Sequence, residues 1–391
     1  MKTLWSNIRI SDIGEILTGN TPSKKNKNYF GGKYPWIKPT DIIIGNRFVE
    51  STEETYSNLA FKKYERYLLP PGSTCVVTIG TVGEKICLTK EPSFTNQSIN
   101  AIVPIKDQYD PMFIYYLMKF NLPKVAKRNP GTASGRHHVS RSNFMSMKVS
   151  VPTLKIQKKI SAILAPFDDL IEINFKRIKV IENIAQNIYN EWFVNLKFPG
   201  YKNTKIMETE YGPTPIGWKW QKIVDILKLK YGKGLKKSER IQGDYPVFGS
   251  SGIIDYHNDY FIKGPTIIVG RKGNVGTIYW SRRNCNPIDT VYYVESNLSL
   301  YYLYYNLQNQ NLIDAHAAVP GLNRNQVYSL PILIPNNTIL KYFTNIIKPI
   351  FDFKYSIQKK NEVLIKTRDL LLPKIISGKI DVSNLDNDVG D

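Results

Sequence analysis

The segment from Gly131 to Arg141 carries the side chains best suited to contact nucleic acid. It reads Gly-Thr-Ala-Ser-Gly-Arg-His-His-Val-Ser-Arg, so it combines glycines with basic residues and hydroxyl groups. An arginine guanidinium matches two acceptors of guanine, whereas hydroxyl and backbone N–H groups suit phosphate oxygens. We therefore predict DNA contacts in this segment. The candidate residues are Arg136, His137, Ser140 and Arg141.

Further candidates with the same chemistry stand elsewhere in the chain. The second half contains Arg271-Lys272-Gly273-Asn274 and Leu322-Asn323-Arg324-Asn325, and a group of lysines lies near the N-terminus. The lysines suit phosphates rather than bases, because an ammonium is a compact charge without a planar fork. Solvated surface charge explains any one of these residues, but not the whole set in so basic a chain. The additional candidates are Lys24, Lys25, Lys27, Lys33, Lys38, Thr81, Lys233, Arg271, Lys272, Asn274, Asn323 and Arg324.

Motifs for catalysis or metal binding are missing from the sequence. The four histidines have no acidic or cysteine neighbours at metal-ligand spacing. The glycine-containing segment from Gly264 to Lys272 has the wrong spacing for a phosphate-binding loop, and Asn286-Pro287-Ile288-Asp289 lacks the second proline and the aromatic residue of an adenine methyltransferase loop. We predict no catalytic residue, no metal site and no cofactor bound by this chain.

The charge of the chain indicates a polyanionic partner. The formal net charge is +20, and the two blocks at residues 1–152 and 217–335 account for +10 and +6 of it. No signal peptide is visible, no apolar run is long enough to span a membrane, and the three cysteines are too scattered for a disulfide framework. We predict a cytoplasmic protein without membrane contact, whose cysteines are buried thiols.

The two basic blocks repeat each other. Ser140 to Phe144 followed by Val149 to Pro152 resembles Asn323 to Val327 followed by Ile332 to Pro335, at an offset of 183 residues. Short β-branched runs punctuated by glycine, proline and asparagine predict mixed α/β (α+β) blocks, each with one short helix, from Pro111 to Phe120 in the first block and from Leu298 to Asn306 in the second. The chain is therefore a tandem duplication in which each block is followed by a helix.

Each block is followed by a long amphipathic segment. Apolar residues recur at 4,3 spacing from Ile156 to Ile188 and from Ile339 to Leu371, as in the seam of a coiled coil. Asn174 and Asn361 each interrupt an apolar seam, and single polar residues there commonly fix register. We predict that the two helices pair, and the alternative is that each packs only on its own block.

At these residues the chain resembles the specificity subunit of a type I restriction–modification system over nearly its whole length. The resemblance rests on Tyr34-Pro35-Trp36-Ile37-Lys38, Gly80-Thr81-Val82-Gly83, Val319-Pro320-Gly321-Leu322-Asn323-Arg324 and the closing Arg368-Asp369-Leu370-Leu371-Leu372-Pro373-Lys374. None of these motifs is diagnostic alone, so the resemblance depends on their order together with the duplication. The entry to the second helix, Pro335 to Ile339, departs from the family pattern.

The resemblance implies two target-recognition domains, each reading one half of a bipartite double-stranded DNA site, joined by two helices in an antiparallel coiled coil. The helices would set the spacer and dock two modification (methyltransferase) subunits, with restriction subunits outside. S-adenosylmethionine, ATP and magnesium would be used by those partners. The implied segments are a first domain at 1–152, a central helix at 153–198, a linker at 199–216, a second domain at 217–335, a C-terminal helix at 336–380 and a tail at 381–391.

Two other classes of protein fit parts of the sequence. A methyltransferase fused to a specificity domain would need a cofactor turn and a catalytic loop, and neither is present. A free-standing repressor-like DNA-binding protein would fit the charge and the duplication. It would bind DNA alone, whereas a specificity subunit should associate stably with a methyltransferase.

Overall fold

A computed structural model describes residues 5–128, 137–312 and 321–383. The chain divides into two compact units. The first unit comprises Met1–Arg177 together with Ile357–Asp391, and the second comprises Ile178–Ser356. Each long helix therefore contributes to both units, whereas the sequence-based division placed the helices in segments of their own.

The first unit contains mixed sheets covered by helices. The elements are β1 Trp5–Arg9, β2 Gly14–Thr18, β3 Phe30–Ile37, β4 Thr55–Tyr56, α1 Asn58–Tyr64, β5 Thr74–Val77, β6 Ile86–Leu88, β7 Phe94–Thr95, β8 Ile99–Pro104, α2 Pro111–Lys127, α3 Arg141–Met145, β9 Lys148–Pro152 and the long α4 Leu154–Tyr189. A four-stranded antiparallel sheet has the order β2-β8-β5-β6, a smaller sheet has the order β4-β3-β7, and β1 pairs with β9.

The second unit repeats this architecture. Its elements are β10 Ile206–Thr209, β11 Gly212–Pro215, β12 Lys219–Lys222, α5 Ile223–Ile226, β13 Leu227–Tyr231, β14 Tyr245–Gly249, β15 Gly252–His257, β16 Thr266–Gly270, β17 Ile278–Ser281, β18 Asn286–Pro287, β19 Val291–Ser296, α6 Leu300–Asn309, α7 Arg324–Ser329, β20 Pro331–Ile334 and α8 Asn337–Ile376. The sheets have the orders β13-β19-β16-β17 and β15-β14-β18, and β12 pairs with β20. The hairpin β10–β11, whose first strand is exposed, lies within the segment expected to be a linker.

One inner strand of each four-stranded sheet, β5 or β16, is buried on both faces, which explains the apolar run that follows its first threonine. In β5, Val76 packs into the core beneath α2, while Cys75 and Val77 face a second cluster around Ile37. In β16, Ile267 and Val269 face the main core, and Ile268 faces the opposite cluster. Side chains of a strand alternate between faces, so a strand with two covered faces is apolar throughout. The same strand order in both units confirms the duplication.

Local signals set the ends of the short helices. The carboxylate of Asp110 accepts a hydrogen bond of 2.8 Å from the backbone N–H of Phe113, and Pro111 occupies the first turn of α2. The sequence predicted a helix from Pro111 to Phe120, but α2 continues to Lys127 because Asn121, Leu122 and Val125 remain buried. The helix expected at Leu298 to Asn306 is α6, displaced by two to three residues.

The long helices α4 and α8 pack against each other within each unit, in antiparallel directions. In the first unit Asn174 contacts Asn361, and Asp168 pairs with Arg368. In the second unit Lys354 pairs with Glu182 at 3.2 Å, and the rings of Phe343 and Tyr189 are 6.2 Å apart. Residue numbers thus rise along one helix as they fall along the other. The predicted pairing is confirmed, and the alternative of two helices packed only on their own blocks is wrong.

The predicted seam is wrong at Leu170 of α4 and at Phe353 and Ile346 of α8, where Ile346 is 41% exposed. Leu170 and Phe353, which correspond in the repeat, are 48% and 57% exposed, whereas Leu164 and Ile171 are buried. The buried stripe of α4 advances in steps of four from Ile160 because the helix also packs on the core of its own unit there. A straight helix drifts relative to a strict 3.5-residue repeat, so the seam shifts by one residue.

Two other predictions concern the cysteines and membrane contact. Cys75, Cys87 and Cys285 are buried free thiols, as predicted. Among the helices of the described ranges, none combines the length and apolar character needed to cross a bilayer.

Candidate nucleic-acid interface

The same pairing of two backbone segments holds the predicted contact residues in both units. We call this pairing the backbone frame: it joins residues 78–79 to 138–139 in the first unit and residues 271–272 to 321–322 in the second. In the first unit, Ile79 forms an antiparallel bridge with His138, and the N–H of Val139 donates to the carbonyl of Thr78 at 2.8 Å. In the second unit, Lys272 forms the corresponding bridge with Gly321, and the N–H of Leu322 donates to the carbonyl of Arg271 at 2.9 Å. These bonds bring together two segments that are far apart in sequence.

Several predicted contact residues are exposed along this frame. In the first unit, Thr81 lies beside His137, whose carbonyl accepts a hydrogen bond of 2.9 Å from the N–H of Gly80. In the second unit, the loop that carries Lys272 and Asn274 lies beside Asn323. The structure therefore groups these predicted residues within each unit. Arg136 lies outside the described residues, as do Gly131 to Gly135.

Ser140 and Asn323 have a structural role in addition to the predicted one. The Ser140 hydroxyl accepts a hydrogen bond of 3.2 Å from the N–H of Asn143 and caps α3. The amide oxygen of Asn323 caps α7 by accepting from the N–H of Asn325 at 3.0 Å. Both residue types are preferred at helix N-termini. Each cap fixes the backbone that carries the arginine after it.

The arginines that follow the caps have different partners. Arg141 is exposed, and its guanidinium donates a hydrogen bond of 2.6 Å to the carbonyl of Ile16 in β2. Arg324 is half-buried, and its guanidinium carbon lies 5.2 Å from the ring centre of Tyr231 and 5.8 Å from that of Tyr328. Arg141 and Arg324 occupy equivalent positions of the duplication. A backbone carbonyl holds the side chain of Arg141, whereas aromatic rings hold that of Arg324.

The strand ends beneath this frame differ between the units. In the first unit, the hydroxyl of Thr18 donates to the amide oxygen of Asn100 at 2.5 Å, and the amide of Asn100 donates to the hydroxyl of Thr78 at 2.9 Å. Strand register places Thr18 opposite Asn100, just as it places Tyr231 opposite Tyr292.

In the second unit the corresponding positions are aromatic and cationic. The guanidinium of Arg271 lies 4.9 Å from the ring centre of Tyr231 and 5.8 Å from that of Tyr292, and it donates a hydrogen bond of 2.7 Å to the carbonyl of Asp289. Burial, together with hydrogen bonding to Tyr231, raises the pKa of Tyr292 above 10.0, although Arg271 and Arg324 oppose that rise. The sequence identified both arginines as candidates but not Tyr231 and Tyr292. The one sequence signal for Tyr231 is that it directly precedes Gly232.

Glycine at the end of the first sheet strand is required in both units. A Cβ on Gly19 would lie 2.2 Å from the carbonyl oxygen of Thr95, and one on Gly232 would lie 2.2 Å from that of Ile288. The residue after each glycine then bonds to a strand of the smaller sheet: the N–H of Asn20 donates to the carbonyl of Thr95 at 3.0 Å, and the N–H of Lys233 to that of Pro287 at 2.9 Å. This backbone pairing fixes the position of Lys233, whose side chain is exposed.

The lysines near the N-terminus have two environments. Lys24, Lys25, Lys27 and Lys33 are exposed, and the ammonium of Lys33 lies 5.3 Å from the ring centre of Tyr34. The ammonium of Lys38 instead pairs with Glu53 at 2.6 Å and Glu54 at 2.9 Å. Burial lowers the pKa of Lys38, but the two carboxylates outweigh burial and raise it above 10.5. The charge of Lys38 is thus compensated within the chain, and its contact with DNA stays a prediction.

No group of three or more histidine, cysteine, aspartate and glutamate side chains is arranged to hold a metal ion in the part of the chain that the structure describes. A buried charge cluster joins Asp168, Arg368 and Tyr116 in the first unit, where Tyr116 donates to Asp168 at 2.5 Å. This cluster lies between α2, α4 and α8. It links these three helices.

Comparison with known proteins gives a consistent result. The sequence model of the family described as "Type I restriction modification DNA specificity domain" matches residues 2–183 and 215–365. The type I restriction enzyme MjaIX specificity subunit of Methanocaldococcus jannaschii is 27% identical, over 97% of this chain and 94% of that protein. The HindI specificity subunit of Haemophilus influenzae is 33% identical over 41% of this chain and 35% of its own length.

A solved structure has the same fold. The crystal structure of a type I restriction–modification S subunit from M. genitalium aligns with a TM-score of 0.57, covering 95% of this chain and 96% of that one. The two sequences are 15% identical. At that identity the likeness concerns the arrangement of sheets and helices, and not the side chains of the interface.

Proposed function

Because the chain belongs to the family of type I restriction–modification DNA specificity domains, we propose that it recognises a bipartite double-stranded DNA target, with each unit reading one half-site. The observation that carries this proposal is the duplicated frame. In each unit it holds exposed polar and basic side chains at the same edge, with Thr81 and Arg141 in one unit and Asn274 and Lys272 in the other. Two similar edges that differ in side chains suit two different half-sites.

The charge distribution supports the same proposal. The blocks that carry these edges hold +16 of the net charge of +20. Neutralising phosphates with lysine and arginine releases counterions and supplies affinity that is independent of sequence. The exposed Lys24, Lys25 and Lys27 fit that role. Residues with fixed geometry, such as Arg324 on its tyrosine faces, fit the reading of bases.

The helices and the partner subunits belong to the same proposal. We infer that α4 and α8 set the spacing between the half-sites and dock two modification subunits, with restriction subunits joining outside. Methyl transfer from S-adenosylmethionine and magnesium-dependent ATP hydrolysis would take place in those partners, in the cytoplasm, and this chain would bind none of these cofactors. Membership of the family is the argument for these partner subunits. Stable co-purification with a methyltransferase from the native host tests their association with this chain.

Binding measured as a function of salt tests the proposed recognition of DNA. Phosphate contacts predict that log affinity falls linearly with log salt, with several contacts costing orders of magnitude between about 50 and 200 mM. A flat dependence on salt contradicts binding through the two basic blocks.

Arginine substitutions test whether each unit reads its own half-site. Arg141→Ala should weaken discrimination at one half-site only, and Arg324→Ala at the other, by about 1–3 kcal/mol if a base contact is lost. The measurement is affinity for duplexes substituted one base pair at a time. A loss that is uniform over all sequences assigns these residues to phosphates and contradicts their role in half-site reading.

A further inference from the structure

Two arginines and three tyrosines form a cluster at the end of β13 in the second unit. The ring of Tyr231 is 50% exposed, and both guanidinium groups lie over it, with Arg271 at 4.9 Å and Arg324 at 5.2 Å. Tyr292 and Tyr328 each contact one of these arginines from a second side. Both cations therefore contact the same half-exposed aromatic side chain.

The first unit has a different cluster at the equivalent backbone positions. Thr18 and Asn100 stand opposite each other as Tyr231 and Tyr292 do, and Thr78 accepts the same backbone bond as Arg271. Uncharged hydrogen bonds run from Thr18 to Asn100 and from Asn100 to Thr78. The duplication has thus kept the backbone and replaced a neutral cluster with a cationic one.

The arginines of the cluster keep unused donors. Arg271 donates one hydrogen bond, to the carbonyl of Asp289. The Nε of Arg324 is buried and makes no hydrogen bond within residues 5–128, 137–312 and 321–383, so the donors of Arg324 that remain for a base are its two terminal guanidinium nitrogens. A planar guanidinium whose position is held by aromatic rings is pre-organised, so it loses little freedom when it forms two parallel hydrogen bonds. In the major groove, N7 and O6 of guanine are the acceptors that match this fork.

We propose that Tyr231 is a positioning residue that holds Arg271 and Arg324 for the recognition of guanine in the half-site read by the second unit. This inference rests on the proposed function, and it adds the class of base and the residue that controls its reading. In the first unit Thr78 stands at the position of Arg271, and Arg141, the equivalent of Arg324, donates to the carbonyl of Ile16 and not to an aromatic ring, so this arrangement belongs to the second unit.

The test uses the full chain assembled with its modification subunits. Selection from a pool of random-sequence duplexes first defines the wild-type target. The half-site whose base preferences change with Arg324→Lys is then assigned to the second unit, because this variant keeps the charge and loses the planar fork. Each guanine of that half-site is replaced by 7-deazaguanine, which lacks the N7 acceptor, and affinity is measured for each duplex.

We expect wild-type affinity to fall about tenfold at one such guanine, as for the loss of a base contact. Tyr231→Ala should bind the normal duplex more weakly and show no further loss with 7-deazaguanine, because the contact is already gone. Tyr231→Phe keeps the aromatic face and should behave as wild type. Tyr211→Ala is the matched control: Tyr211 is 49% exposed and packs on one aromatic ring, Trp220, as Tyr231 packs on Tyr292.

Several results would overturn the inference. The inference fails if Tyr231→Ala keeps full sensitivity to 7-deazaguanine, if the half-site contains no sensitive guanine, or if the variant loses affinity equally for all duplexes. Each of these results leaves the recognition of DNA intact. If wild type selects no sequence at all, the proposed function itself fails. Thermal unfolding shows whether Tyr231→Ala is folded. If it is not, the same comparison is made with Arg324→Lys, which should also lose sensitivity to 7-deazaguanine.

Discussion

The side-chain amide of Asn174 in α4 donates a hydrogen bond of 2.8 Å to the amide oxygen of Asn361 in α8, and both residues are buried. The amide of Asn361 also donates to the carbonyl of Ile171 at 3.3 Å. A buried polar pair is satisfied in only one alignment of two helices, so it selects one register. In the repeat, Asn174 corresponds to Ile357 and Asn361 to Ile178. The buried asparagine pair therefore occurs once and is not repeated by the duplication.

Removing one partner of this pair should destabilise the first unit. Asn174→Ala leaves the oxygen of Asn361 buried without a donor, and we expect the free energy of unfolding to fall by about 1–3 kcal/mol. Asn187→Ala, on an exposed position of the same helix, is the matched control. The double variant Asn174→Ile with Asn361→Ile should recover stability, because no polar group is left unpaired. Urea unfolding measures all three, and equal stability of Asn174→Ala and Asn187→Ala would disprove this role.

The buried ion pair between Asp168 and Arg368 should be sensitive to the loss of either charge. Arg368→Met leaves the carboxylate of Asp168, which is 2% exposed, without its counter-charge, at a cost of about 3–5 kcal/mol. The pair of Arg282 with Asp352 is 42% and 38% exposed, so Arg282→Met should cost at most about 1 kcal/mol. The two variants are compared by denaturant unfolding. Similar losses would mean that the buried pair is solvated in solution.

Lys119 of α2 predicts a dependence of stability on pH. Burial, followed by repulsion from Arg368, lowers the pKa of Lys119 from 10.5 to about 8, and its ammonium makes no hydrogen bond within the described ranges. Between these two values the unfolded chain binds more protons than the folded chain, so stability should rise with pH across that window. Below pH 8 the amine is charged in both states, and its contribution is constant.

The comparison of wild type with Lys119→Met isolates this effect. Wild type should gain stability relative to Lys119→Met as the pH rises from 8 towards 10, before tyrosines begin to ionise in the unfolded chain. Lys124→Met, at an exposed lysine of the same helix, should show no such trend. Unfolding midpoints at several pH values provide the measurement. Parallel pH profiles for all three proteins would show that Lys119 is not protonated differently in the folded state.

The helices are proposed to act as a ruler between the half-sites. Inserting four residues in α4 after Arg177 and four in α8 after Ser356 keeps the pairing within each unit and lengthens each helix by about 6 Å. At about 3.4 Å per base pair, the spacer should grow by one to two base pairs while the half-sites keep their sequences. Methylation mapped by sequencing provides the readout. Lys176→Ala with Lys179→Ala changes the same region without changing its length, and its spacer should equal that of wild type.

An unchanged spacer in an active insertion variant would rule out the ruler. A change in half-site sequence would also contradict it, because the insertion leaves the recognition edges around Arg141 and Arg324 untouched.

The sequence alone determined the duplication, the mixed α/β blocks and the two long helices. These follow from local patterns: β-branched runs bounded by glycine and proline, and a 4,3 apolar spacing that extends from Ile156 to Ile188. Asn174 and Asn361 could be recognised because a lone polar residue in an apolar seam is visible without coordinates. The candidate arginines could be found because their residue type fits contacts with DNA.

Only the tertiary structure decided what those residues touch. The exposure of Leu170 depends on where α4 rests on the core of its own unit, and no periodicity encodes that contact. The pairing of Arg271 and Arg324 over Tyr231 joins three segments of the chain through strand register and a bridge at Gly321. Residue type sets the chemistry that a side chain can perform, whereas its partners and its solvent exposure are properties of the folded chain.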